Sequence, residues 1–168
     1  MLNKYKRPKP ILKRTKQDIF MGFGTISILV LSAFWIISAY DDLPDIIPTH
    51  FDLSGEPDKF GEKTSIWFLL VVSFVLCIGL RILSRFPHYL NYLTEITEDN
   101  AQQQYGLASS LLKVFAFLVS LIFFFAIYEI IQVAHSNQSI IGFWHFLLTT
   151  LSFLIVLIIY LIKSTKKV

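Results

Sequence analysis

IFMGFGTISILVLSAFWIISAY, residues 19–40, runs for 22 residues without a charge. A bilayer core of about 30 Å takes about 20 mostly apolar helical residues, so this stretch is long enough to cross. Three further stretches read the same way. Ser65 to Leu80 continues through Ile82 and Leu83, with Arg81 near enough to the end to snorkel. Leu107 to Ala134 is interrupted at Lys113 and Glu129, and Ile140 to Ile162 only at His145. All four are apolar around the whole helix, which fits burial in lipid and in a bundle rather than an amphipathic surface. The 168-residue chain is 54% hydrophobic and only 16% charged, where soluble domains carry about a quarter charged residues. The expected fold is an all-α integral membrane protein of four transmembrane helices. Cys77, the single cysteine, leaves neither a disulfide framework nor a cysteine-based zinc site within one chain.

Charge placement supplies the orientation, because Lys and Arg accumulate on the cytoplasmic side. The N-terminal arm, residues 1–18, carries Lys4, Lys6, Arg7, Lys9, Lys13, Arg14 and Lys16. Arg81, Arg85 and Lys113 lie around the second loop, and Lys163, Lys166 and Lys167 close the chain. The first loop, residues 41–64, holds only Lys59 and Lys63, so the count is 13 cytoplasmic against two external. N-in/C-in topology follows. A cleavable signal peptide would have an apolar region of about 7–15 residues, so the first helix reads as retained. A basic arm beside a membrane span sets topology and touches anionic lipid. With no nucleic-acid motif beside it, no nucleic-acid partner is expected. The chain contains no internal repeat and no Gly-rich phosphate loop.

The external loop, LPDIIPTHFDLSGEPDKFGEK over residues 43–63, is not an ordinary connector. Pro44, Pro48 and Pro57 fix backbone angles, and Gly55 and Gly61 permit turns. Such a loop holds a defined shape without needing regular secondary structure. Seven acids against two lysines leave residues 41–64 near −5. His50 is the residue whose chemistry stands out, as a metal ligand or a proton switch, with Asp52, Glu56 and Asp58 as oxygen partners. One histidine among scattered carboxylates is also the composition of a plain solvated acidic loop.

The pattern Leu43-Pro44-Asp45, Pro48-Thr49-His50-Phe51, Gly55-Glu56-Pro57-Asp58 and then Gly61 to Lys63 resembles the signature of a bacterial membrane family of unknown function. That domain also forms the N-terminal module of SdpI-like immunity proteins, which protect producer cells against a secreted killing peptide. A looser likeness continues through Asn91-Tyr92, Ile96-Thr97, Asn100 and Tyr105, so that residues 19–134 form the family module. Within that module, residues 84–106 are its cytoplasmic element, and a fourth helix and basic tail, residues 135–168, follow. The resemblance implies a role for Pro48, His50, Gly55, Asp58 and Lys63 without supplying the chemistry. It implies a bacterial plasma membrane as the location.

Thr97 before Glu98, Asp99 and Asn100 reads as a helix start, with a Thr cap and acids that suit the dipole. The third helix then runs from about residue 97 to 134, its first 15 or so residues projecting about 24 Å into the cytoplasm. A solvated stem carrying Gln102 to Gln104 and Tyr105 is expected there, and Lys113 reads as a snorkelling lysine. At the other end, His135 to Ser139 is a short link centred on Asn137. Glu129 lies eight residues before it and His145 eight after, placing both at one depth, about 7–8 Å inside the span. An ionisable group there marks a candidate site. Glu129 and His145 would form an acid–base couple beneath the loop, or each would snorkel beside Tyr128 and Trp144.

These residues define an outer-face ligand site of Pro48, His50, Gly55, Asp58, Lys63, Glu129 and His145. No cofactor is required, but a divalent cation on His50, Asp58, Glu129 and His145 fits the ligand types. The expected function is non-catalytic: recognition of a peptide, toxin or cation at the outer face, with immunity or signalling as the outcome. The alternatives are an accessory subunit of a membrane transporter or complex, and a metal-dependent enzyme, which lacks a motif such as HExxH. Besides the lipid bilayer and such a ligand, a second copy of the chain is an admissible partner, since four helices without a repeat make a poor lone transporter.

Overall fold

The computed structural model describes residues 7, 8, 12, 15–52, 54–136 and 142–165. In chain order the elements are α1 (Lys16–Ala39), β1 (Ile46–Phe51), β2 (Pro57–Glu62), α2 (Ser65–Leu83), a 3-10 turn (Pro87–Tyr89), α3 (Glu98–Ser136) and α4 (Gly142–Thr165). The four α-helices are each long and apolar enough to cross a membrane. Most of the cationic arm, the Asn137–Ser139 link, Lys166 and Lys167 lie outside the described residues.

Two helix starts, those of α1 and α3, are written in side chains. At α1 the Thr15 hydroxyl accepts the Asp18 amide at 3.1 Å while the Thr15 amide donates to the Asp18 carboxylate at 2.9 Å, a reciprocal capping box. The same exchange opens α3: Asn100 N–H donates to Thr97 Oγ1 at 3.3 Å and Thr97 N–H to Asn100 Oδ1 at 2.9 Å. Within the bundle, several buried hydroxyls are satisfied by nearby carbonyls, which suits an apolar environment. Thr25 donates to Met21, Ser32 to Ile28 and Ser120 to Phe117, at 2.7, 2.9 and 2.7 Å.

α3 is the hub, packing against α1, α2, α4, β1 and the 3-10 turn. It packs tightly on α1 at Gly24, where a Cβ would lie 2.8 Å from the Phe117 ring. The Cys77 thiol donates to the Ala116 carbonyl at 3.3 Å and aligns α2 with α3. Phe115 meets Phe153 at 4.8 Å between ring centroids, and Gln104 Nε2 donates to the Ser164 carbonyl at 2.9 Å, fixing α4 along α3.

Three sequence expectations change. The fold is not purely α, because the loop between α1 and α2 is an antiparallel hairpin of β1 and β2. Pro48 tolerates a strand here because both strands of a two-stranded sheet are edges. The start of α3 is not a solvated stem: Ala101, Gln104, Tyr105, Ala108 and Ser109 are all buried. Tyr105 and Ala101 pack with Ile96, Tyr92 and Leu12, so the arm and the linker clothe the helix. Lys113 is not a lone snorkelling lysine, since its Nζ lies 2.9 Å from Asp18 Oδ1 across the α1–α3 contact.

Candidate functional site at the hairpin

A two-stranded hairpin is marginal alone, and here the bundle holds it. Ile47 is fully buried and Leu43 nearly so, in one cluster with Ile36, Ile66, Ile127, Ile130 and Ile131. Phe51, Trp35, Tyr40 and Trp67 pack around that cluster. The hairpin is therefore seated on the adjoining ends of α1, α2 and α3.

Lys63 clasps the base. Its Nζ donates to the Leu43 carbonyl at 3.2 Å, lies 5.4 Å from the Tyr40 ring centroid and 3.5 Å from Asp45 Oδ1. Its backbone N–H donates to the Asp45 carbonyl at 2.9 Å. Lys63 is thus tied into the base of the hairpin, and Pro48 is buried within β1.

The tip is set by Asp52. Its Oδ1 accepts the Ser54 amide at 2.8 Å, the Ser54 hydroxyl at 2.6 Å and the Glu56 amide at 3.0 Å. Gly55 follows at φ 87°, a left-handed conformation that favours glycine. The Ser54 hydroxyl, helped by the Glu56 amide, holds the Asp52 carboxyl below its ordinary value of 3.8. A carboxylate held down in the folded form stabilises it fully above its unfolded value and loses that contribution as pH falls through the depressed one. Protection of the Ser54 and Glu56 amides, taken as exchange relative to the intrinsic rate at each pH, should therefore be full at neutral pH and be lost as pH falls below 3.8 through the depressed value. Asp52→Ala should show the unprotected value at every pH.

On the open face, His50 Nδ1 and Asp58 Oδ1 are 2.5 Å apart. His50 stands opposite Lys59 in the ladder, with an irregularity on each side of it, and such bulges re-aim a side chain. The two side chains remain 56% and 42% exposed, so the pair is available to a ligand from solution. Of the oxygen partners considered for His50, Asp58 makes this bond, while Asp52 is spent on the turn.

Glu129 and His145 occupy a different place. Glu129 is buried, 2% exposed, next to Ile130 and Ile131 of the cluster that seats the hairpin. His145 sits with its ring 6.1 Å from that of Phe125, which lies one helical turn before Glu129 on α3. Both side chains are engaged. Among the described residues no three His, Cys, Asp or Glu side chains group as a metal site requires. His50, Asp58, Glu129 and His145 thus do not form the single cation cage considered from sequence. The structure brings His50 and Asp58 together on the exposed face and buries Glu129 in the bundle.

Sequence reading missed the Asp18–Lys113 pair and the turn role of Asp52. The Asp-x-Ser-Gly spacing at residues 52–55 was the available signal for the second.

The helices and hairpin define a multi-pass membrane protein with a mounted, acidic β-hairpin. Residues 27–74, from mid-α1 through the hairpin to mid-α2, match the family described as a domain of unknown function, DUF1648. An uncharacterized protein of the archaeon Archaeoglobus fulgidus is 24% identical over 76 residues, covering 39% of this chain and 42% of that protein. The chain thus spans less than half the length of this curated relative. No solved structure matches it.

Proposed function

We propose that this is a non-catalytic recognition protein of the plasma membrane, with both termini in the cytoplasm and the hairpin outside, binding a cationic ligand such as a peptide. The observation that carries the reading is the exposed His50–Asp58 pair on a hairpin that is anchored to three helices. A rigid mount lowers the ordering cost of binding. The seven acids of residues 41–64, with Lys63 drawn into the clasp, supply attraction for positive charge. A low-lying Glu129 beneath the hairpin gives the bundle a means to register what the hairpin holds, and immunity or signalling are the outcomes that such binding serves.

The test uses the full chain in nanodiscs and a fluorescent soluble lysine-rich peptide as probe. Binding should weaken with salt, and Asp58→Asn should weaken it by about 1 kcal/mol, roughly fivefold. Equal binding by the wild type, Asp58→Asn and His50→Ala would overturn the reading. So would failure of a membrane-impermeant thiol reagent to label Thr49→Cys in intact cells.

A further inference from the structure

Between α2 and α3 the chain reads SRFPHYLNYLTEIT, residues 84–97, and its inner side is fastened. Arg7 donates to the Leu90 carbonyl at 2.7 Å and to the His88 carbonyl at 3.4 Å, and its guanidinium lies 5.7 Å from the Tyr92 ring centroid. The Tyr92 hydroxyl donates to the Pro87 carbonyl at 2.9 Å, and its ring meets that of Tyr105 at 5.7 Å. Pro87 and Ile96 are buried.

The outer side is unlike a connector meant for water. Phe86, Tyr89 and Leu93 are 45%, 60% and 71% exposed, and the exposed residues between and beside them are polar: Arg85, Asn91 and Glu95. A segment tied down at this many points cannot turn those apolar side chains inward.

Its height in the molecule bears on what covers them. α2 ends at Leu83, with Ile82 exposed on its lipid-facing side, and the linker continues directly from there. α4 carries an equally exposed Ile162 near its end, and the Gln104–Ser164 bond sets that end beside the Tyr92–Tyr105 contact. The lipid-facing surfaces of α2 and α4 therefore reach the level of the linker, and its apolar row continues them.

We infer that residues 85–93 form an interfacial foot, with Phe86, Tyr89 and Leu93 entering the boundary between headgroups and acyl chains. Aromatic residues concentrate at that boundary, and Arg85 meets the phosphates there. The occupant is the lipid leaflet itself. Because Arg7, Tyr92 and Ile96 join the foot to the arm and to α3, its depth sets how far the first turns of α3 stand out of the membrane.

Nitroxide labels at Tyr89→Cys, Leu93→Cys, Asn91→Cys and Glu95→Cys, each in a full-length Cys77→Ala background, test this in vesicles of phosphatidylcholine and phosphatidylglycerol. Labels at 89 and 93 should relax with oxygen more than with a water-soluble nickel chelate, and labels at 91 and 95 the reverse. Nickel access at 89 and 93 equal to that at 91 and 95 would overturn the inference. Protection of 89 and 93 from both agents would also overturn it, since protein, such as a second copy, would then cover the row. Tyr89→Trp with Cys77 intact gives an independent reading. The added fluorescence should be quenched by lipids brominated near the headgroup end of the acyl chain, and unquenched emission counts against the foot.

Discussion

Lys113→Met should destabilise the bundle by about 3 kcal/mol, and adding Asp18→Asn should return most of that loss. The pair is short, 2.9 Å, and its side chains are only 17% and 12% exposed. Removing one partner of a sheltered ion pair leaves the other charge without compensation, which costs more than the pair itself contributes. Asp18 cannot escape by reorienting, because its carboxylate is also bonded to the Thr15 amide as half of the α1 capping box. Asparagine in its place keeps an oxygen for that amide while removing the charge. Unfolding in mixed detergent micelles, followed by circular dichroism, gives the three stabilities. The result that sinks the argument is additivity, with the double variant as unstable as the two single losses combined.

That pair shows where reading from sequence stops. Lys113 lies inside an apolar run, and a single span considered alone offers it only the route to the interface. Its actual partner stands on α1, and only the packing of α1 on α3 brings them together. The spans themselves were legible because length and hydropathy are local, and so was the start of α3, because Thr97 and Asn100 cap it within one turn. The burial of that helix start was also written locally, in Ala101, Tyr105, Ala108 and Ser109 at helical spacing. The glutamines between them, one of which is itself buried, drew the reading toward a solvated stem.

The candidate site was legible in part for similar reasons. His50 and Asp58 stood out by residue type, and the hairpin brings them together; that it is a hairpin was obscured by Pro48 and by the two ladder irregularities beside His50. The shared depth of Glu129 and His145 was read by counting outward from Asn137. α3 ends at Ser136 and α4 begins at Gly142, and both side chains are engaged within the bundle.

Ile47→Ala should release the hairpin while leaving the helices folded. Ile47 is fully buried among residues of α1, α2 and α3, and truncating such a side chain costs about 2–5 kcal/mol. The loss falls on the hairpin because its two strands have little else to order them: an isolated pair is marginal, and β2 meets no helix extensively. The helices keep their own contacts along α3. Amide exchange in nanodiscs should then show residues 46–51 and 57–62 exchanging about 100-fold faster, the equivalent of roughly 3 kcal/mol, with α1, α2 and α3 unchanged. Ile46→Ala is the matching control, since Ile46 is 56% exposed and faces away from the seat. Uniform acceleration across the helices would mean that the hairpin and bundle unfold as one unit. The hairpin would then be a keystone of the fold rather than a mounted sensor, and the recognition reading would lose its mechanical basis.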